Sequence, residues 1–373
     1  MIIEIKAFDT LFFRDGKPFS MGENHWTDSI FPPNISTIYG GLRSAYFHEN
    51  PGAFKDLKRR KLLNTREDPT KKLVIKRVFY RIIAGANSGY YYPMPLDLVK
   101  PKELSKKEKE EKAYKAIALK SKKNNYLTSS SLDCLLYAQE QIETIGNGLI
   151  YNLQLGEYIR NKKKEFEIYL MSDYIIDEPK VGIGLNNKTG TSDDKKLYRI
   201  DLKRPKNLVI MVEFEGIKLK SEGIMRLGGE GKYVSYEEVE ENFALRLPKA
   251  PEMDKYFKFT LITPALFLKN SFPIDEDLSP GGDKPSYIIE NKRFKIKLKA
   301  AAIGKHLSIG GFDIAKRRPK PMLKAVPPGT TYFFEILEGD TKDIIDFYNW
   351  KTISHIKAEE GYGIGFISKW EGY

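Results

Sequence analysis

One cysteine, Cys134, and four histidines are all the thiol and imidazole chemistry in this 373-residue chain. A lone thiol excludes an internal disulfide framework and a cysteine-built zinc site, and it fits a reducing cytosol. His25, His48, His306 and His355 do not pair at metal-ligand spacing, and no His-Glu-x-x-His run exists. No Gly-x-Ser-x-Gly elbow supports serine chemistry. The acidic stretch Asp275-Glu276-Asp277-Leu278-Ser279-Pro280-Gly281-Gly282-Asp283 has Pro280 where a calcium loop needs glycine and Ser286 where it needs a closing glutamate, so it reads as a solvated turn. No apolar run reaches the roughly 18 residues of a membrane helix, and Met1-Ile2-Ile3-Glu4 begins no signal peptide. The expectation is a soluble cytoplasmic protein with no metal and no cofactor.

What the chain has in abundance is positive charge, rings and glycine. Lys and Arg number 62 against 50 Asp and Glu, a formal charge of +12, with a pI near 9.2. Such an excess attracts nucleic acid or an acidic membrane surface. Tyr (22) and Phe (21) supply rings both for a core and for stacking on bases. Glycine concentrates in Ser221-Glu222-Gly223-Ile224-Met225-Arg226-Leu227-Gly228-Gly229-Glu230-Gly231-Lys232, bounded by strand-like sequence. Residues without side chains let a backbone approach another chain and turn its amides outward, and Arg226 and Lys232 flank that surface. A nucleotide-binding Walker loop is excluded, because Arg226 stands where its first glycine belongs and Tyr233 where Ser or Thr would follow Gly231-Lys232. The phosphates to expect here are those of a polymer.

The periodicities predict an opening strand through Ile3, Ile5, Ala7 and Leu11-Phe12-Phe13, then, after Pro32-Pro33, a helix from Ser36 to His48 with Ile38, Leu42 and Ala45 on one face. Strands are expected at 73–83, 90–99, 168–171 and 208–214, with a mixed-charge helical or disordered stretch over 101–123. Residues 178–200 read as a long protruding hairpin or loop, glycine-rich and polar at its middle. A second cycle opens near residue 250, with strands at 256–263, 294–298, 322–326 and 331–337 and a helix over 340–350. Two rounds of strands with few helices predict an α+β chain of two antiparallel-sheet domains, 1–220 and 221–373, the first carrying an insertion at about 101–165.

Several motifs in order then resemble one family. Asp9-Thr10-Leu11-Phe12-Phe13-Arg14-Asp15-Gly16-Lys17-Pro18-Phe19 is similar to the N-terminal signature of the third subunit of type III-B (Cmr) CRISPR effector complexes. Phe31-Pro32-Pro33-Asn34-Ile35-Ser36-Thr37-Ile38-Tyr39-Gly40-Gly41-Leu42-Arg43-Ser44-Ala45 resembles that family's first helix and its approach. Arg226 to Lys232 resembles its central glycine motif; Ser308-Ile309-Gly310-Gly311-Phe312-Asp313, Lys324-Ala325-Val326-Pro327-Pro328-Gly329 and Gly361-Tyr362-Gly363-Ile364-Gly365-Phe366 complete the series. The likeness covers nearly the whole chain, leaving only 101–165 unassigned.

The resemblance implies a repeat-associated (RAMP) protein with two modified ferredoxin-like (RRM-like) domains, glycine-rich loops and insertions. It implies a non-catalytic subunit of an antiviral ribonucleoprotein that binds the 5′ handle of the CRISPR RNA, with the large polymerase/cyclase-like subunit and adjacent backbone RAMP subunits as partners. The hairpin at 178–200 corresponds in place to the family's thumb, putting Asn187, Lys188 and Thr189 near a displaced base. In this reading Gly228, Gly229, Gly231, Gly310, Gly311, Gly361 and Gly363 bring backbone amides to phosphate, while Arg14, Arg43, Arg226, Lys232, Lys316, Arg317, Arg318 and Lys324 supply charge. Asn34, Ser36 and Thr37 stand at a helix N-terminus, where amides and dipole favour an anion. Phe312 offers a stacking ring, and Tyr362 joins the RNA-binding set between Gly361 and Gly363. The alternative is a metal-independent endoribonuclease processing CRISPR transcripts, with His25, in a loop near Asp9 and Arg14, as base on a ribose 2′-hydroxyl. A third reading is a purely protein-bridging subunit.

Overall fold

The computed structural model describes residues 1–14, 26–85, 88–102, 113–125, 132–185, 192–240, 245–269, 271–273, 287–313 and 318–373. It is a sheet-rich α+β structure of mostly antiparallel sheets, with a short parallel match of Trp26–Asp28 to Ser192–Pro205. The chain divides into two compact units, neither of them the consecutive blocks 1–220 and 221–373. The first unit combines Met1–Ile75, Ser172–Glu240 and Ser308–Lys324; the second combines Lys76–Met171, Glu241–Leu307 and Ala325–Tyr373.

In the first unit the opening strand Ile2–Ala7 lies between Leu208–Glu215 and Tyr233–Glu238, and Glu222–Arg226 adds the outer strand. Residues 2–5 and 208–212 are buried without a break, so these two strands are covered on both faces, and Val234 is buried beside them. The helix Ile35–Glu49 buries Ile35, Ile38, Gly41, Leu42 and Ala45, a helical stripe. At Gly41 it meets the side chains of Leu227 and Met225, so the helix covers one face of the outer strands. Residues 11–13, expected to prolong the first strand, instead leave it after Ala7. Leu11 forms a separate two-way bridge with Lys203 (2.7 and 2.9 Å). Lys203 belongs to the long antiparallel pair of Ile175–Leu185 with Ser192–Pro205.

The second unit holds one sheet ordered Gly89–Pro93, Gly148–Tyr151, Glu165–Leu170, Tyr114–Ala118, Leu98–Pro101 and Ile142–Glu143. The helix expected over 101–123 is therefore corrected among the described residues: Tyr114–Ala118 and Lys120–Lys123 are strands. Residues 114–117 pair with Glu165–Leu170 and Ala118 with Leu98, and that pairing overrides the local abundance of Lys. The other sheet places four principal strands, Tyr256–Leu261, Phe294–Ala302, Thr331–Gly339 and Ile364–Lys369, in the spatial order second, third, first, fourth. The helix Thr341–Tyr348 joins the third to the fourth, and its Ile344 and Tyr348 pack on Phe257, Phe259 and Phe334. Beneath that sheet Lys258 pairs with Asp97 at 3.0 Å, and Asp97 also accepts from the Tyr158 hydroxyl at 2.7 Å; all three side chains are buried.

Candidate nucleic-acid interface

The glycine stretch that dominates the sequence is the turn of a β-hairpin. Glu222–Arg226 runs up, Tyr233–Glu238 runs back, and Arg226 is the last residue paired, opposite Tyr233. Between them Leu227 N donates to Lys232 O (3.1 Å) and Lys232 N to Gly229 O (3.2 Å), which closes the loop on itself. A further bond anchors it: Gly229 N donates to Phe12 O at 2.9 Å. Gly228 has φ +85°, and a Cβ there would lie 2.5 Å from the same carbonyl and 2.9 Å from the Phe13 ring. Only glycine fits so close to a backbone already held in place. The amides of Gly228, Glu230 and Gly231 have no acceptor among the described residues.

The segment that anchors the turn is itself tied on both sides. Phe12 packs with Ile200 and Leu202 of the strand Ser192–Pro205, and Phe13 N donates to the Ser29 hydroxyl at 2.8 Å. Asp9 collects cations here. Arg204 donates to it at 2.6 Å, Lys232 Nζ stands 3.6 Å away, and Lys232 also donates to the Thr10 hydroxyl at 2.7 Å. The Thr10 amide first, with Arg204 and Lys232 adding to it, holds the Asp9 carboxyl below the usual carboxylate range. Arg204 is also bidentate to Glu178, whose carboxyl it draws down, while those two carboxylates raise the guanidinium further above its ordinary value. Lys203 pairs with Asp177 (2.6 Å), Arg199 with Asp201 (3.1 Å) and Lys180 with Glu230 (3.6 Å).

Against this compensated background Arg226 stands out. It is exposed, at the mouth of the turn, and makes no ion pair among the described residues. Lys232, its expected companion, is instead committed to Asp9 and Thr10, which brings the signature Asp9-Thr10 and the central glycine motif into one cluster. Arg43 is similarly committed: it donates to the buried Asp68 at 2.8 Å and to the Thr70 hydroxyl at 2.7 Å. Asn34 is the N-cap of its helix, with no side-chain capping bond, and Ser36 and Thr37 occupy the first turn. Arg14 is exposed and bridges to Ser29.

The other expected contacts separate. Gly310 and Gly311 precede a short hairpin of Phe312–Asp313 with Arg318–Pro319, where Arg318 is exposed, as is Lys324. Lys316 and Arg317 lie outside the described residues, as do Asn187, Lys188, Thr189 and His25. Gly361-Tyr362-Gly363 belongs to the second unit. There Thr263 donates to Gly361 O (2.8 Å), Gly363 N to Pro264 O (2.7 Å), and Tyr362 is fully buried, so its ring offers no stacking surface. His306 and Ser271 are hydrogen-bonded at 2.8 Å on the surface, and His355 packs against Phe267. No three His, Cys, Asp or Glu side chains converge to hold a metal among the described residues, and no helix there is long and apolar enough to cross a membrane.

Reading the sequence alone missed Thr10, Phe12 and Arg204, the residues that fix the turn; the alternation of Ile200 and Leu202 with charged neighbours was the available signal. Residues 3–370 match the model of a family described as CRISPR-associated protein (Cas_Cmr3). No curated protein matches the chain. Among solved structures, a chain of the Type III-B Cmr-beta bound to cognate target RNA is similar at 17% identity and TM-score 0.49, over 93% of this chain and 88% of that one. A chain of the same assembly with cognate target RNA and AMPPnP is similar at 18% identity and TM-score 0.46, with the same coverage.

Proposed function

The chain belongs to the CRISPR-associated Cas_Cmr3 family, a subunit of type III-B effector complexes, and on that premise we propose that it is the non-catalytic RNA-binding subunit that grips the 5′ handle of the CRISPR RNA. In the same reading it bridges the large polymerase/cyclase-like subunit to the backbone RAMP subunits. The strand order second, third, first, fourth, with a helix before the last strand, supports a modified ferredoxin-like frame for the sheet built on Tyr256–Leu261.

One observation carries the proposal. The turn is held rigid through Phe12, yet three of its amides have no acceptor among the described residues and an uncompensated Arg226 stands at its mouth. Amides without an acceptor beside a cation, on a backbone anchored to Phe12, suit an anion-binding concavity. The helix N-terminus at Asn34, which makes no side-chain capping bond, adds its dipole beside Ser36 and Thr37. Lys232 acts indirectly, by balancing Asp9 so that its carboxylate does not repel the strand. Arg14, Arg318, Lys324 and the cations beyond the described residues add diffuse attraction.

The test is handle binding measured against salt. Replacing Arg226 by Ala removes one phosphate contact, so affinity for handle-bearing RNA falls and the slope of log K against log salt flattens by about one. An unchanged slope overturns the grip. Incubating the chain and H25A with repeat RNA tests the nuclease alternative: intact RNA in both is expected, and cleavage lost in H25A would replace this reading.

A further inference from the structure

The sheet that carries the glycine turn has a second face. On the helix side Met225 lies against Gly41, and the Tyr236 hydroxyl donates to Glu49 of the first helix. Val234, Ile3 and Ile5 are buried with them. Strand alternation then puts Ile224, Arg226, Tyr233, Ser235, Glu237 and Lys6 on the opposite face. That face is open at one end. Tyr233 is 55% exposed, Ile224 55% and Phe8, which follows Ala7 directly, 60%.

Register orders these residues into rows. Arg226 is opposite Tyr233, and Ala7, opposite Val234, is the last paired residue of the first strand, with Phe8 in the bend that follows it. Arg226 and Tyr233 thus form the row at the open end, about 5 Å apart, and Phe8 follows the end of the neighbouring strand. The next row is Ile224, Ser235 and Lys6, and the one after is Glu222, Glu237 and Glu4. Lys6 reaches Glu4 and Glu237, so the acidic row is partly neutralised within the sheet. The charge therefore runs in one direction, from paired acids to the unpaired Arg226 at the glycine turn. Neither the Phe8 nor the Tyr233 ring packs on another aromatic side chain among the described residues.

We propose that Tyr233 and Phe8 form a stacking platform for one or two unpaired bases of the RNA whose phosphate is held at the adjoining turn. The inference rests on the phosphate grip and extends it to the nucleotides that follow. Exposed rings beside a cation, with amides at the adjoining turn that have no acceptor among the described residues, match the alternation of base and phosphate in a single strand. A protein partner is disfavoured by the same arrangement, since docking would bury the uncompensated Arg226 beside the apolar rings. Stacking reads π-faces rather than base edges, so the platform tolerates different bases. Its position outside the recognised glycine motifs is why they do not reveal it.

The experiment uses the full chain, alone and in the assembled effector complex, with handle RNA carrying 2-aminopurine at successive positions. Tyr233→Leu and Phe8→Leu keep apolar bulk but remove the ring. Each is expected to weaken binding about 5- to 150-fold, the range for loss of one stacked base, and to abolish the 2-aminopurine quenching at one position. Their salt slopes stay at the wild-type value because no charge is lost, and Tyr233→Phe restores both affinity and quenching. Unaltered affinity and quenching in both leucine variants, with R226A still flattening the slope, would overturn the platform and leave the grip standing. Loss with the rings but not with R226A would keep the platform and remove the grip. Normal RNA binding with release of a protein subunit, read by native mass spectrometry, would make the face a protein dock and overturn the platform.

Discussion

Replacing Gly228 by Ala probes whether the turn is held as the geometry indicates, and Gly231→Ala is the built-in comparison. Both glycines have positive φ, +85° and +65°, so each alanine takes on a left-handed backbone costing about 1–2 kcal/mol. Against this, alanine restricts the unfolded chain and returns about 0.4–1 kcal/mol. At Gly231 a Cβ meets nothing within 4 Å, so the sum should stay near 1 kcal/mol. At Gly228 the Cβ would sit 2.5 Å from Phe12 O and 2.9 Å from the Phe13 ring. That carbonyl accepts from Gly229 N, so moving it forfeits a bond of about 0.5–1.5 kcal/mol, and displacing the ring off its rotamer adds about 0.5–1.5. G228A should therefore cost about 2–4 kcal/mol. Urea unfolding followed by tryptophan fluorescence and circular dichroism gives both values, with a parallel salt titration of handle binding. If the two variants are equally destabilised, or G228A is neutral, the anchoring through Phe12 is wrong.

Removing one partner of the buried Lys258–Asp97 pair leaves a charge without compensation, so D97A should lose about 3–5 kcal/mol in urea unfolding, and K258M in the same background should recover part of it. A loss under about 1 kcal/mol would mean water reaches the site. Burial pushes the Asp68 carboxyl up, but bonds from Thr70 and Asn64 and the charge of Arg43 outweigh it and leave its pKa lowered. A depressed folded value contributes stability above the unfolded pKa of about 3.9 and loses it as pH falls through the folded one. Wild type should accordingly lose stability more steeply than D68N on acidification below about pH 5, and parallel curves would refute the assignment. Burial pushes the Cys134 thiol up to about 11, so iodoacetamide at pH 8 should label it in urea but scarcely in the native protein.

Much of the fold was legible because periodicity reports burial. The helix at Ile35–Glu49 and the strands Leu208–Glu215, Tyr256–Leu261 and Thr331–Gly339 carry apolar spacings that survive in the structure. The strands Tyr114–Ala118 and Lys120–Lys123 were illegible because their identity comes from partners, Glu165–Leu170 and Cys134–Tyr137, rather than from their own Lys-rich composition. The unit boundaries were hidden for a related reason: Tyr233–Glu238 pairs with Ile2–Ala7, a contact no local pattern announces. In the candidate site, glycine density exposed the turn and the cation at its mouth. It did not show that Lys232 answers to Asp9 and Thr10, or Arg43 to Asp68, because ion-pair partners are chosen by three-dimensional proximity.

The pairing of Ile3 with Glu238 has a consequence for how the protein is made. A ribosome adding about 5–20 residues each second leaves the first strand without that neighbour for roughly 10–50 s. Throughout that interval its unpaired backbone edge, flanked by Ile2, Ile3 and Ile5, is a template for the wrong chain. Whatever shields this nascent edge, a chaperone or an early-binding subunit, would then govern how much active complex a cell can accumulate.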